Sequence, residues 1–274
     1  MTDLNQAANG RSRITAAFAQ AQHTQSAALM PYYTLGYPDR QTALNVVAAI
    51  APYSDLLELG VPFSDPLADG PTIQHSTQVA LENGTTVADC LAVLRELRQR
   101  GVQTPVMLMG YYNPILAYGI TNYARDAAAA GADAFIVPDL PPEEAGELEQ
   151  AAAQVGMALI HFLAPTSSQA RIANVTARAQ GFIYLLSLTG VTGARTAVQT
   201  DLAAFVTRVR QQANVPLAVG FGISTPQQAA QIGALADGVI VGSALINAVD
   251  RADDNKPDAA AAFVQALRAG LTKS

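Results

Sequence analysis

Eight short apolar runs dominate the chain, and each is apolar at consecutive positions rather than alternate ones. They are Leu29–Thr34, Asp55–Leu59, Pro105–Met109, Ala134–Val137, Ala158–Leu163, Phe182–Ser187, Pro216–Val219 and Gly238–Val241. A strand that is apolar on both faces must be covered on both, which is the habit of parallel sheets. Between the runs lie segments of helical period with readable ends. Thr86 is placed to cap a helix whose Val87, Cys90, Leu91, Leu94 and Leu97 share one face, with Gly101 just beyond it. Pro142, Glu143 and Glu144 suit a helix start. Ser168 precedes Ile172 and Val175, Thr200 precedes Leu202, Phe205, Val206 and Val209, and Thr225 with Pro226 opens another helix. Spread over 274 residues, eight such units average about 34 residues, the size of a strand–helix repeat.

This alternation, with no linker or low-complexity stretch, predicts one α/β domain over residues 1–274, a (β/α)8 TIM barrel. A doubly wound sheet is the rival, but it normally has fewer strands for this length. An extra N-terminal helix is expected at Ser12–Gln22, with Ile14, Phe18 and Ala21 on one side, inside an N-terminal extension over 1–25.

Composition narrows the class. Half of the residues are hydrophobic, although 53 of the 274 are Ala, so part of that half favours helix rather than filling a core. No uninterrupted apolar stretch approaches membrane-spanning length, and Met1 to Arg13 is polar without a signal core, so a cytoplasmic protein off the membrane is expected. A net charge of −6 disfavours a nucleic-acid surface. The single cysteine, Cys90, cannot form an internal disulfide or by itself a thiolate metal site, and it sits on a core face as an inert thiol. Only Lys256 and Lys273 are lysines, both near the C-terminus, which argues against a Schiff-base lysine in a pocket. No metal site is expected.

In a barrel, chemistry belongs where strands end and βα loops begin. Three such places stand out. After the second strand, Glu58-Leu59-Gly60-Val61-Pro62-Phe63-Ser64-Asp65-Pro66-Leu67-Ala68-Asp69-Gly70-Pro71 forms a long loop with three carboxylates, and the next helical pattern starts near Thr72. Asp65 and Asp69 also suit plain turn chemistry. Glu58, set in Leu56-Leu57-Glu58-Leu59, would be costly to bury unpaired. After the sixth strand, Ser187–Arg195 carries two glycines and two threonines and reads as a mobile lid or as a plain flexible connection. After strands seven and eight come Gly220-Phe221-Gly222-Ile223-Ser224 and Gly242-Ser243, the latter opening a short helix; glycine loops at those two ordinal positions favour phosphate. His161 reads as a satisfied core or pocket-lining residue, His23 and His75 have no identifiable partner, and Tyr184 is either core or a ligand contact near its strand end.

The segment Glu58–Pro71, continuing into Thr72-Ile73-Gln74, closely resembles the signature of the tryptophan synthase alpha-chain family, and the resemblance spans nearly the whole chain. It includes Pro31-Tyr32-Tyr33-Thr34-Leu35-Gly36-Tyr37-Pro38, Pro138-Asp139-Leu140-Pro141, Tyr184-Leu185-Leu186-Ser187 and Gly190-Val191-Thr192-Gly193. The resemblance implies a lyase that cleaves indole-3-glycerol phosphate into indole and glyceraldehyde 3-phosphate in tryptophan biosynthesis. It also implies a beta-chain partner that bears pyridoxal phosphate and receives indole through a tunnel, in an alpha2-beta2 tetramer, with no cofactor in this chain. Matched residue by residue, Glu58 and Asp69 fall on catalytic carboxylates and Tyr184 on a tyrosine beside the substrate. Gly193, Gly222, Gly242 and Ser243 fall on phosphate contacts, with Phe221 beside them, and Tyr32 and Tyr111 fall near the indole end. Leu188 stands where some relatives have Arg, which removes a carried-over salt bridge at the lid, and Tyr32 stands where some have Phe. A different phosphate-sugar barrel and a non-catalytic activator subunit are the other readings; the first would want a pocket lysine in its indole-3-glycerol phosphate synthase form, and intact Glu58 and Asp69 argue against the second.

Overall fold

In the computed structural model, which describes residues 9–186, 195–220 and 222–271 (195–200 by backbone alone), eight parallel strands close into a barrel in chain order. The strands are β1 (Ala28–Thr34), β2 (Leu57–Gly60), β3 (Val106–Met109), β4 (Ala134–Ile136), β5 (Ala158–Leu163), β6 (Ile183–Leu186), β7 (Leu217–Gly220) and β8 (Gly238–Val241). The ring shuts where β1 pairs with β8, Ala28 opposite Gly238 through Pro31 opposite Val241. Around it run α1 (Gly10–His23), α2 (Arg40–Ile50), α3 (Pro71–Glu82), α4 (Val87–Gln99), α5 (Tyr112–Tyr118), α6 (Ile120–Ala130), α7 (Gly146–Gln154), α8 (Gln169–Arg178), α9 (Arg195–Arg210), α10 (Pro226–Gly233), α11 (Ser243–Asp250) and α12 (Lys256–Leu271). Strand residues are buried almost throughout, because the interior takes one face and the helices take the other.

Several helix ends are where the sequence puts them. Thr86 caps α4 in a reciprocal capping box with Asp89, Ser168 accepts the Arg171 N–H, and Thr225 accepts the Gln228 N–H ahead of Pro226. The N-terminal helix exists and is slightly longer than expected. It lies under the barrel: Phe18 packs 5.6 Å from the Phe182 ring, and the Arg11 Nε donates to the Met157 carbonyl.

Three expectations need correction. Pro142–Glu144 does not begin a helix; Glu144 and Ala145 fold back as turns onto the Pro141 and Pro142 carbonyls, and α7 starts at Gly146. Consecutive prolines disfavour helical backbone at the residue before each, which delays the start. Thr200 is not a cap but lies within α9, which begins at Arg195; the apolar period read from the sequence begins only at Leu202, so the first turns gave no helix signal. Asp55 and Leu56 precede β2 instead of opening it, while Gly220 joins β7.

Asp55 has another task, repeated twice elsewhere. Its Oδ2 accepts the Leu29 N–H at the start of β1 at 2.7 Å and pairs with Arg268. Asp133, before β4, accepts the Val106 N–H of β3 at 2.8 Å and pairs with Arg13 and Arg98 at 2.9 and 3.0 Å. Asp237, before β8, accepts the Leu217 N–H of β7 at 2.8 Å and pairs with Arg210 at 3.0 Å. Each aspartate ties an N–H at the start of one strand, its first or second, to the next strand's entry, satisfying a backbone group at the rim. Only Asp133 is fully buried, at 1% exposure. Asp133→Ala strands two arginines and a buried amide, and it is expected to destabilise by about 3 kcal/mol or more in urea unfolding. Asp237→Ala, at the exposed version of the same clamp, is expected to lose about 1 kcal/mol in the same measurement.

Candidate active site

The strand ends open into a cavity of about 480 Å³, whose lining includes Tyr32, Glu58, Asp69, Ile73, Phe162, Tyr184, Gly222, Gly242, Ser243 and Asn247. Register explains the grouping. Tyr32 of β1 is opposite Glu58 of β2, and Phe162 of β5 is opposite Tyr184 of β6, so these side chains share the interior face. Alternation along β5 turns Phe162 inward, 4.8 Å from the Tyr184 ring, and sends His161 outward to α7. There the His161 Nε2 sits 2.7 Å from Glu149 Oε1, which makes it a satisfied core residue.

Glu58 is 3% exposed, and its Oε2 has no hydrogen-bond partner among the described residues. Desolvation, reinforced by the charge of Asp69, pushes its carboxyl up to about 8. At neutral pH it is therefore mainly protonated. Asp69 reaches the cavity from the long loop after β2. Burial raises it to about 6, restrained by the Tyr111 phenol, which donates to Oδ2 at 3.0 Å. The Tyr111 oxygen in turn accepts the Ala68 N–H at 3.0 Å, and the Gln74 side chain donates to the Asp69 carbonyl at 2.8 Å, so both chain and side chain of this loop are held. Asp65, by contrast, is exposed and takes the Ser64 hydroxyl, as local turn chemistry demands.

The two tyrosines on the interior face stand where glycines leave room. A Cβ at Gly60 would come within 2.1 Å of the Tyr32 hydroxyl, and one at Gly220 within 2.3 Å of the Tyr184 hydroxyl. The Tyr32 hydroxyl is 3.2 Å from Thr34 Oγ1, Thr34 is 2.7 Å from Ser76 Oγ, and Ser76 donates to the Ile73 carbonyl. That terminal acceptor orients the whole chain, so Tyr32 donates toward Thr34 and shows its lone pairs elsewhere.

At the other side of the cavity, α11 begins at Ser243 after Gly242, and no side chain caps it. Gly242, Ser243 and Ala244 line the cavity beside Gly222, whose φ of 73° is left-handed. Uncapped first-turn N–H groups and the helix dipole make this end attractive to an anion. No Lys or Arg is among the described lining residues. Lys256 is committed to the Val249 and Ala252 carbonyls. Leu188, Gly193 and the rest of 187–194, expected to form a lid, lie outside the described residues, as does Phe221. Cys90 is buried, with its thiol pushed up by desolvation.

Sequence reasoning missed Phe162, Thr34, Ser76 and Asn247 as members or supports of the site. Phe162 was accessible from the period-two alternation against His161. Thr34 and Ser76 look like ordinary strand-end and helix polar residues, and only the fold brings them together.

The pattern of the tryptophan synthase alpha chain family matches residues 18–272. The tryptophan synthase alpha chain of Chloroflexus aggregans is 51% identical over 258 residues, 93% of this chain and 97% of that one. The alpha chain of Geobacter sulfurreducens is 47% identical, over 95% and 99% of the two chains. Among solved structures, the alpha subunit from Legionella pneumophila superposes with a TM-score of 0.88 at 36% identity, covering 94% and 98%. A tryptophan synthase of Mycobacterium tuberculosis gives 0.87 at 37% identity, covering 96% and 99%.

The buried carboxyl has a stability consequence. Below about 4.5, folded and unfolded chains both hold the Glu58 proton. As pH rises toward 8, the unfolded chain releases it while the folded chain keeps it, so stability falls across that window. Glu58→Gln is therefore expected to be more stable than the natural protein by about 1 kcal/mol or more at pH 8. Thermal unfolding at pH 8 and pH 5 checks this, with the gain shrinking at the lower pH.

Proposed function

The chain belongs to the tryptophan synthase alpha chain family, and we propose that Glu58, Asp69 and Tyr184 carry the chemistry of that family in this cavity. The protein is a carbon–carbon lyase of tryptophan biosynthesis that cleaves indole-3-glycerol phosphate to indole and glyceraldehyde 3-phosphate. The observation that carries the residue assignment is the pair of carboxyls in one cavity, buried Glu58 mainly protonated and half-buried Asp69 mainly ionised at neutral pH.

The steps follow from that difference. Glu58 in its acid form protonates indole C3, and positive charge develops on the ring nitrogen. Asp69 accepts a hydrogen bond from the ring N–H and stabilises that charge. Ionised Glu58 then takes the proton from the side-chain hydroxyl next to C3. The C3–carbon bond breaks, its electron pair returns to the ring, the hydroxyl carbon becomes the aldehyde, and Glu58 ends protonated as it began. Tyr184, packed against the tilted Phe162 ring, walls the reacting bond. Tyr32 and Tyr111 stand at the indole end, where Tyr111 acts through Asp69. The phosphate lies against Gly193, Phe221, Gly222, Gly242 and Ser243, held by backbone donors and the α11 dipole, and its binding orients the remote bond.

The protein works with a tryptophan synthase beta chain. In the full reading this is an alpha2-beta2 tetramer in the cytoplasm, with pyridoxal phosphate held by the beta chain and indole passed to it directly. Among the described residues, no helix is long and apolar enough to cross a membrane.

Two measurements test the assignment. The pH profile of kcat/KM should be bell-shaped, falling below about 6 as Asp69 takes a proton and above about 8 as Glu58 loses one. Glu58→Gln and Asp69→Asn should each bind a substrate analogue yet lose at least about a thousandfold in indole release; near-normal turnover in either would remove its role. For the phosphate end, glycerol phosphate should compete with substrate. Gly222→Asp should weaken substrate affinity by at least about tenfold while thermal stability shifts modestly, since Asp tolerates left-handed backbone. Unchanged affinity would place the phosphate elsewhere.

A further inference from the structure

Asp139 lies in the connection after β4, on the exposed surface. Both its carboxylate oxygens accept one backbone N–H, that of Tyr112, at 3.0 and 3.2 Å. Tyr112 opens α5, and Tyr111 just before it provides no side-chain cap. The carboxylate from a neighbouring βα unit therefore satisfies the first donor of this helix. A helix of seven residues has little intrinsic stability, so such an anchor decides where its first turn sits. From that turn the Tyr111 phenol reaches Asp69 and Ala68, with the Phe63 ring 5.4 Å behind it.

We propose that Asp139 is a positioning residue for the cleavage reaction: by fixing the start of α5 it holds the Tyr111 phenol on Asp69. This rests on the role given to Asp69 above. The titratable groups facing Asp69 are Glu58 from β2, Tyr32 from β1, Tyr184 from β6 and Tyr111 itself, and no described cavity-lining residue is cationic. The phenol is thus the side-chain donor that favours the charged form of Asp69 against burial. Losing the phenol raises the pH at which Asp69 takes a proton. Losing only a nearby negative charge would lower it, so the two roles available to Asp139 predict opposite signs.

The test uses the alpha–beta complex, with kcat/KM for indole-3-glycerol phosphate measured against pH, and the Asp69 carboxyl titration followed by 13C NMR in the labelled chain. Tyr111→Phe should move the acid limb up by about half a pH unit or more. Asp139→Ala should move it the same way, Asp139→Asn should remain near the natural profile because one acceptor oxygen persists, and Tyr111→Phe with Asp139→Ala should shift no further than Tyr111→Phe alone. If Asp139→Ala fails to fold, Asp139→Gln, which carries the amide away from Tyr112, takes its place. An unmoved or lowered acid limb in the Asp139 variant, or additive shifts in the double variant, overturns the proposal. Asp69→Asn in parallel separates the two readings: if that variant keeps its turnover and acid limb, the role of Asp69 fails; if it loses them and Asp139→Ala leaves the limb in place, only the positioning role falls.

Discussion

Closing eight parallel strands into a ring leaves one interior, and every inward side chain has to fit in it. That constraint decides where polarity can go. The strand bodies must be apolar on both faces, so charged groups are confined to the two rims. At the lower rim the solution is repeated: Asp55, Asp133 and Asp237 each meet an N–H at the start of a strand and an arginine. At the upper rim the exception is Glu58, which stays in the strand and has no partner for Oε2 among the described residues.

The difference between those rims is the difference between structure and chemistry. A buried aspartate that is paired and hydrogen-bonded supports the ring. A buried glutamate with one oxygen unpartnered among the described residues is kept neutral by its surroundings, and a neutral carboxyl can deliver a proton. Asp69 approaches the same space from a loop, with a phenol as donor, and stays closer to its ordinary range. The two carboxyls need no special chemistry of their own; strand burial and loop access set them apart.

Much of this was legible in the sequence. The consecutive apolar runs marked all eight strands, and the caps at Thr86, Ser168 and Thr225 marked the starts of α4, α8 and α10. Glu58 was conspicuous because a charged residue inside Leu56-Leu57-Glu58-Leu59 contradicts its surroundings. The glycine pairs after strands seven and eight drew meaning from their ordinal position in a barrel. What stayed hidden depends on side chains meeting across units. Asp55 looked like part of a strand because its partners, Leu29 and Arg268, are distant in sequence. Tyr111 could be placed near the indole end, but its bonds to Asp69 and Ala68 rest on how a loop folds back. The Tyr32–Thr34–Ser76 hydroxyl chain joins a strand to a helix and leaves no periodic trace.

The glycines under Tyr32 and Tyr184 also constrain how such a site can change over generations. A methyl group at position 60 would overlap not only the Tyr32 hydroxyl but the ring carbon that bears it, at 2.6 Å, and position 220 stands in the same relation to Tyr184, at 2.7 Å. Removing a hydroxyl alone does not free enough space. The tyrosine has to be replaced by something smaller, or its ring displaced, before the glycine can be lost. Each pair therefore has a one-way order of substitution, and lineages that reshape this pocket must pass through the large residue first.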